Sequence, residues 1–117
     1  MVYADSHAHL PSVAGELGRP ALDTVLAAYA EASLSAGSSA VDASAAAPPA
    51  APILVDIGTE PGDFAARFAL LGARSFLRYT LGVWPGREAL ADPAASLAGL
   101  AASLAEAGGR AAAVGEC

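Results

Sequence analysis

The chain has no lysine, a single cysteine, a single tryptophan and only two histidines. Each scarcity excludes something. One cysteine, Cys117, cannot close an internal disulfide, which fits a reducing compartment. A membrane span needs about 20 consecutive, mostly apolar residues, and no such run of large apolar side chains exists. The hydrophobic fraction of 55% is inflated by alanine. The start does not read as a signal peptide, because Asp5 and the histidines interrupt any apolar segment and no basic stretch precedes it. A cytoplasmic protein with no membrane attachment is therefore expected. Six arginines against twelve acidic residues give a net charge of −6, so no broad basic surface is available to grip nucleic acid. That charge still permits a small active site that takes phosphates through a metal ion.

The 117 residues suit one domain with a single core. Residues 2–5 form a short apolar run, read as a first strand that delivers His7 and His9 at its end. Pro11 and the segment 15–20 carry loop punctuation. From Pro20 onward Leu22, Val25, Leu26 and Tyr29 recur at i, i+3, i+4 and i+7, a helix with one buried stripe. Residues 35–52 collapse into alanine, serine, glycine and proline and are expected to be a flexible surface insertion, with a helical extension through the alanines as the weaker reading.

Residues 53–57 form a second strand, and Asp63 caps a helix whose Phe64, Phe68 and Leu71 share a face up to Gly72. Residues 76–83 form a third strand, broken by Trp84-Pro85-Gly86. Asp92-Pro93 starts a helix with Leu97, Leu100 and Leu104 on its apolar stripe, ended by Gly108-Gly109. Residues 111–114 form a fourth strand. This is an α/β pattern of four parallel strands joined by three helices, with the polar residues gathered at the carboxyl ends of the strands. It has the size of the first half of an eight-stranded TIM-like (β/α) barrel, which takes about 250 residues. A chain truncated after residue 117 is expected on that ground, with an exposed sheet that favours self-association.

His7 and His9 stand two apart, and an extended backbone points such residues to one side. Neutral imidazoles bind divalent metals, and hard ions add a carboxylate, for which Glu116 at the end of the fourth strand is the candidate. The bland reading is a pair of hydrogen-bonded structural histidines and a solvated glutamate. The paired spacing at a strand end favours the metal. Asp5 either orients one of the histidines from behind or is satisfied by backbone amides. Trp84 is expected to pack in its loop, with stacking on a base as the functional alternative, and Arg87 is the nearby charge for a phosphate. Cys117 is expected to be a small buried residue, and Asp56 and Glu60 to be solvated or capping groups.

Asp5-Ser6-His7-Ala8-His9-Leu10 resembles the opening motif of the TatD family of metal-dependent hydrolases. Leu81-Gly82-Val83-Trp84-Pro85 resembles that family's third-strand motif, with Trp84 where a histidine usually stands. Val114-Gly115-Glu116-Cys117 resembles the start of its fourth-strand motif, which normally continues into Gly-Leu-Asp, and Ile57-Gly58-Thr59 matches the end of its second strand. The resemblance implies a TIM-like barrel with one or two divalent ions (Mg, Mn or Zn) that hydrolyses phosphodiester bonds, typically in DNA. It implies His7, His9 and Glu116 as metal ligands, Glu116 bridging where two ions bind. The family's catalytic aspartate lies beyond residue 117, so this chain alone is expected to bind metal weakly and to turn over no substrate usefully. Two other readings compete: an amidohydrolase acting on C–N bonds, and a non-catalytic fragment or interaction module.

Overall fold

The computed structural model describes residues 4–38 and 51–115. In chain order the elements are β1 (Ala4–Ala8), α1 (Leu10–Leu17), α2 (Arg19–Ser38), β2 (Ile53–Asp56), α3 (Phe64–Leu71), β3 (Leu77–Leu81), α4 (Arg87–Ala91), α5 (Pro93–Ala107), a 3-10 turn (Gly108–Arg110) and β4 (Ala111–Val114). The four strands form one sheet in the order β1-β2-β3-β4, and every neighbouring pair is parallel. The expected α/β architecture is present. No helix among the described residues is long and apolar enough to cross a membrane.

The core lies between the sheet and its helices. Leu54 of β2 and Leu77, Tyr79 and Leu81 of β3 bury one face of the sheet against Leu22 and Leu26 of α2, Phe64 and Leu71 of α3 and Leu100 of α5. Ile53 and Arg78, of the opposite strand parity, are exposed. The aromatic part of the core is a cluster in which Phe64 stacks on Phe68 and meets Tyr79 edge-on at a centroid distance of 5.7 Å. Arg110 closes it from outside, its guanidinium 5.0 Å from the Phe68 ring centre while its N–H groups donate to the carbonyls of Ala107 and Glu106 at the end of α5.

Among the described residues five α-helices take the place of the three expected. Residues 10–17, read as loop from Pro11 and Gly15, form α1. Proline in the first helical turn costs nothing, because its missing N–H has no intrahelical partner there. Leu10, Val13 and Ala14 then meet the core at i, i+3 and i+4. The loop after β3 contains the short helix α4, whose Glu88 sits in the first turn. The first strand runs to Ala8, so His7 lies within it; Val2 and Tyr3 are outside the described residues. Of the expected insertion, 35–38 are the last turn of α2, Pro52 is buried, and 39–50 lie outside the described residues.

The polar interior corrects the expectation for Asp56. It is fully buried rather than solvated, and the amide it caps is that of Leu10 at the start of α1. Its Oδ2 accepts from Arg67 Nη1 at 2.7 Å, and its Oδ1 accepts the Leu10 amide at 3.0 Å. Arg67 Nη2 donates to the Thr80 carbonyl at 2.7 Å. The Thr80 hydroxyl accepts from the Gly58 amide and donates to the Gly115 carbonyl. One network thus ties the carboxyl-terminal ends of all four strands together.

Candidate metal centre

His7 is the fourth residue of β1, and His9 is the single residue between β1 and α1. The carbonyl of His9 accepts the Ser12 and Val13 amides and opens the helix. The amide of Ile57 donates to the Ala8 carbonyl at 2.8 Å, which fixes the junction to the end of β2. The Leu10 amide is held by the buried Asp56 carboxylate on the other side of His9. A dry ion pair under the sheet therefore sets the backbone on which His9 rides.

The two imidazoles converge. Their Nε2 atoms are 3.2 Å apart, and the rings meet edge-to-face with centroids 5.0 Å apart and planes at 78°. At that separation one ring's Nε2–H donates to the other's lone pair, which requires opposite tautomers. Two nitrogens bound to one ion at about 2.1 Å stand roughly 3.0–3.4 Å apart for angles between a right angle and the tetrahedral angle. The observed distance falls in that range as well as in that of a hydrogen bond. The expected third ligand, Glu116, and its neighbour Cys117 lie outside the described residues. Among the described residues no group of three or more His, Cys, Asp or Glu side chains is arranged to hold a metal.

Asp5 spends Oδ1 on the His7 amide at 2.9 Å, the backbone role weighed in the sequence. The pairing of β1 with β2 shifts between Asp5 and Ala8, so simple alternation does not carry from one to the other. Burial raises the Tyr29 phenol above its ordinary pKa, and the Asp5 charge adds to the rise.

Trp84 is not packed away in its loop. It is 56% exposed, its amide held by the Thr59 carbonyl at 2.7 Å. It stands on the wall of a cavity of about 490 Å³ at the carboxyl ends of β2 and β3, lined by Thr59, Glu60, Val83, Arg87 and Glu88 among others. Arg87 is thus beside Trp84 in space as in sequence. A second cavity of about 290 Å³ lies between the ends of β1 and β2, with His9, Ser12, Ile57, Asp63 and Arg67 in its wall. Thr59 belongs to both. His9 and Trp84 therefore line neighbouring hollows on the same end of the sheet.

Sequence reasoning missed Asp56 and Arg67 as the groups that hold this end together. Burial raises the Asp56 carboxyl above its ordinary pKa, against the opposing pull of the Arg67 hydrogen bond and the Leu10 amide. Arg67 Nε also lies 3.0 Å from Asp63 Oδ1, an ionic contact in which neither atom makes a hydrogen bond. The signal was present: Arg67 falls on the apolar stripe of α3, three residues after Phe64 and four before Leu71, where a solvated arginine has no place. Comparison with protein-family models, with curated proteins and with solved structures gives no match.

Proposed function

We propose that the chain is the amino-terminal part of a metal-dependent hydrolase that cleaves phosphodiester bonds, a deoxyribonuclease of TatD type. The observation that carries this reading is the convergence of His7 and His9 Nε2 at the carboxyl end of β1. Strand order supports the barrel part of it. In a (β/α) barrel each strand joins beside the one before it, whereas a doubly wound sheet reverses at a switch point. The order here runs β1-β2-β3-β4 without reversal.

His7, His9 and Glu116 are the residues assigned to hold one or two divalent ions. Such an ion, when bound, supplies an activated water and offsets charge on the phosphoryl oxygens. The chain's own residues do the rest. The buried Asp56 fixes the backbone beside His9, and the Asp5 carboxylate fixes the amide of His7, so the main chain that carries the two imidazoles is set before any ligand arrives. The cavity beyond Thr59 receives the part of the substrate that flanks the scissile bond.

The family's late aspartate falls beyond residue 117, so the purified chain is expected to bind metal weakly and to hydrolyse no phosphodiester at a useful rate. Robust metal-dependent cleavage of single-stranded DNA by residues 1–117 contradicts that division of labour. The coding sequence after Cys117 tests the family itself. Gly-Leu-Asp is the expected continuation, and an unrelated run overturns the assignment.

A further inference from the structure

We propose that the cavity between the loops after β2 and β3 is a nucleobase-binding subsite that prefers guanine. This deepens the hydrolase reading, on which its use in catalysis rests; binding of the base itself needs no metal.

Three features of the cavity carry the proposal. The first is a stacking surface. Trp84 is more than half exposed, yet its backbone is pinned on both sides, the amide to the Thr59 carbonyl and the carbonyl to the Gly86 amide, each at 2.7 Å. The pyrrole edge of the indole rests against Gly86, where a side-chain carbon would stand 3.1 Å from Trp84 Cδ1. An indole more than half exposed on a backbone held at both ends is a platform for a flat ring.

The second feature is size. About 490 Å³ lies within the range of small-molecule sites and is ample for a base with its sugar. The third is the polar complement. Glu60 and Glu88 contribute carboxylates, which only accept hydrogen bonds, and Arg87 contributes a guanidinium, which only donates. The local charge sums to −1, so the interior disfavours a phosphate and favours a neutral ring. Guanine presents two adjacent N–H donors, N1–H and the 2-amino group, to a carboxylate, and the O6 and N7 acceptors to an arginine. Adenine offers its 6-amino group but has no N1–H. Both sets of groups in the wall are therefore used by guanine and only partly by adenine.

The position fits a role next to the metal pair. Thr59 forms part of the wall of this cavity and of the one that His9 lines, so the two hollows adjoin and one nucleotide can span them. The same base can come from a free nucleotide or from a single strand, and the experiment separates these.

Trp84 is the only tryptophan in the chain, so its fluorescence reports the site directly. The chain is titrated in EDTA with guanosine, adenosine, dGMP and a short guanine-containing oligodeoxynucleotide, and affinities are cross-checked by equilibrium dialysis. Saturable quenching is expected, with guanosine bound about fivefold or more tighter than adenosine. Tighter binding of the oligonucleotide than of dGMP marks a single strand as the source, and the reverse marks a free nucleotide. Trp84→Ala is expected to weaken guanosine roughly five- to a hundredfold by dialysis. Glu60→Gln and Glu88→Gln, which leave the indole in place, are expected to erase the preference for guanine. Absence of quenching by every nucleoside, or unchanged affinity in Trp84→Ala, overturns the proposal. Base binding without metal binding leaves this subsite standing and removes the hydrolase reading; metal binding without base binding does the opposite.

Discussion

Asp56 and Arg67 form an ion pair of 2.7 Å in which the aspartate is wholly shielded from water and the arginine is 5% exposed. The pair lies at the carboxyl end of the sheet and reaches the start of α1, β3 and the residue after β4 through Leu10, Thr80 and Gly115. Removing one partner leaves the other charged and buried. Arg67→Met is therefore expected to cost about 3–5 kcal/mol of stability. Replacing both, as Asp56→Leu with Arg67→Met, is expected to recover most of that loss. Urea unfolding of the single and double variants measures both. A single-variant loss under about 1 kcal/mol contradicts the account of a dry pair.

Gly58 depends on the same network. A side-chain carbon there would press into the Arg67 guanidinium and stand 2.7 Å from the Thr80 carbonyl, which is backbone and cannot step aside. Gly58→Ala is expected to destabilise the fold by about 1–3 kcal/mol. Gly15 in α1 is the control, since nothing lies within 4 Å of an added carbon there. Gly15→Ala is expected to stabilise by about 0.5–1 kcal/mol through helix propensity. Thermal melts of the two variants should move in opposite directions, and movement in the same direction contradicts one of the two environments.

Tyr79 gives a dependence on alkaline pH. Burial, helped by the Asp56 charge, pushes its phenol up to about 12, and its hydroxyl donates to the Gly72 carbonyl at 2.6 Å. An unfolded tyrosine titrates near pH 10. Below about pH 10 both states keep the proton and the full contribution is present. As pH rises from about 10 to about 12 the unfolded state releases its proton first, so stability falls. With no lysine in the chain, few other groups titrate in that window, the raised Tyr29 among them. Urea midpoints across the window are expected to fall in the native sequence and to fall less in Tyr79→Phe. An equal slope in both assigns the alkaline loss elsewhere.

Much of the scaffold was legible in the sequence because periodicity reports burial. The apolar stripes at Phe64, Phe68 and Leu71, and at Leu97, Leu100 and Leu104, lie on helices bounded by Asp63, Gly72, Asp92 and Gly108, although the Asp63 side chain accepts the Thr59 and Glu60 amides and does not cap α3. Even so, Leu97 of that second stripe is 65% exposed. Helix α1 was hidden because Pro11 and Gly15 were weighed as breakers, when proline is harmless in a first turn and the Leu10, Val13 and Ala14 contacts outweigh one glycine. The histidine pair was legible from its spacing alone. The Asp56–Arg67 pair was not, since two charges eleven residues apart meet only once α3 is laid on the sheet. The open face of Trp84 likewise follows from how the loops after β2 and β3 are tied together, a contact between residues twenty-five positions apart.

The central claim is that His7 and His9 are one half of a metal site. Isothermal titration of the purified chain with Mn²⁺ and Zn²⁺ tests it most directly, beside the His7→Ala and His9→Ala variants. The account predicts weak, saturable binding of a divalent ion that either substitution abolishes while the melting temperature without metal stays within a few degrees of the parent. Binding that survives both substitutions, or no binding by the parent chain, would contradict it.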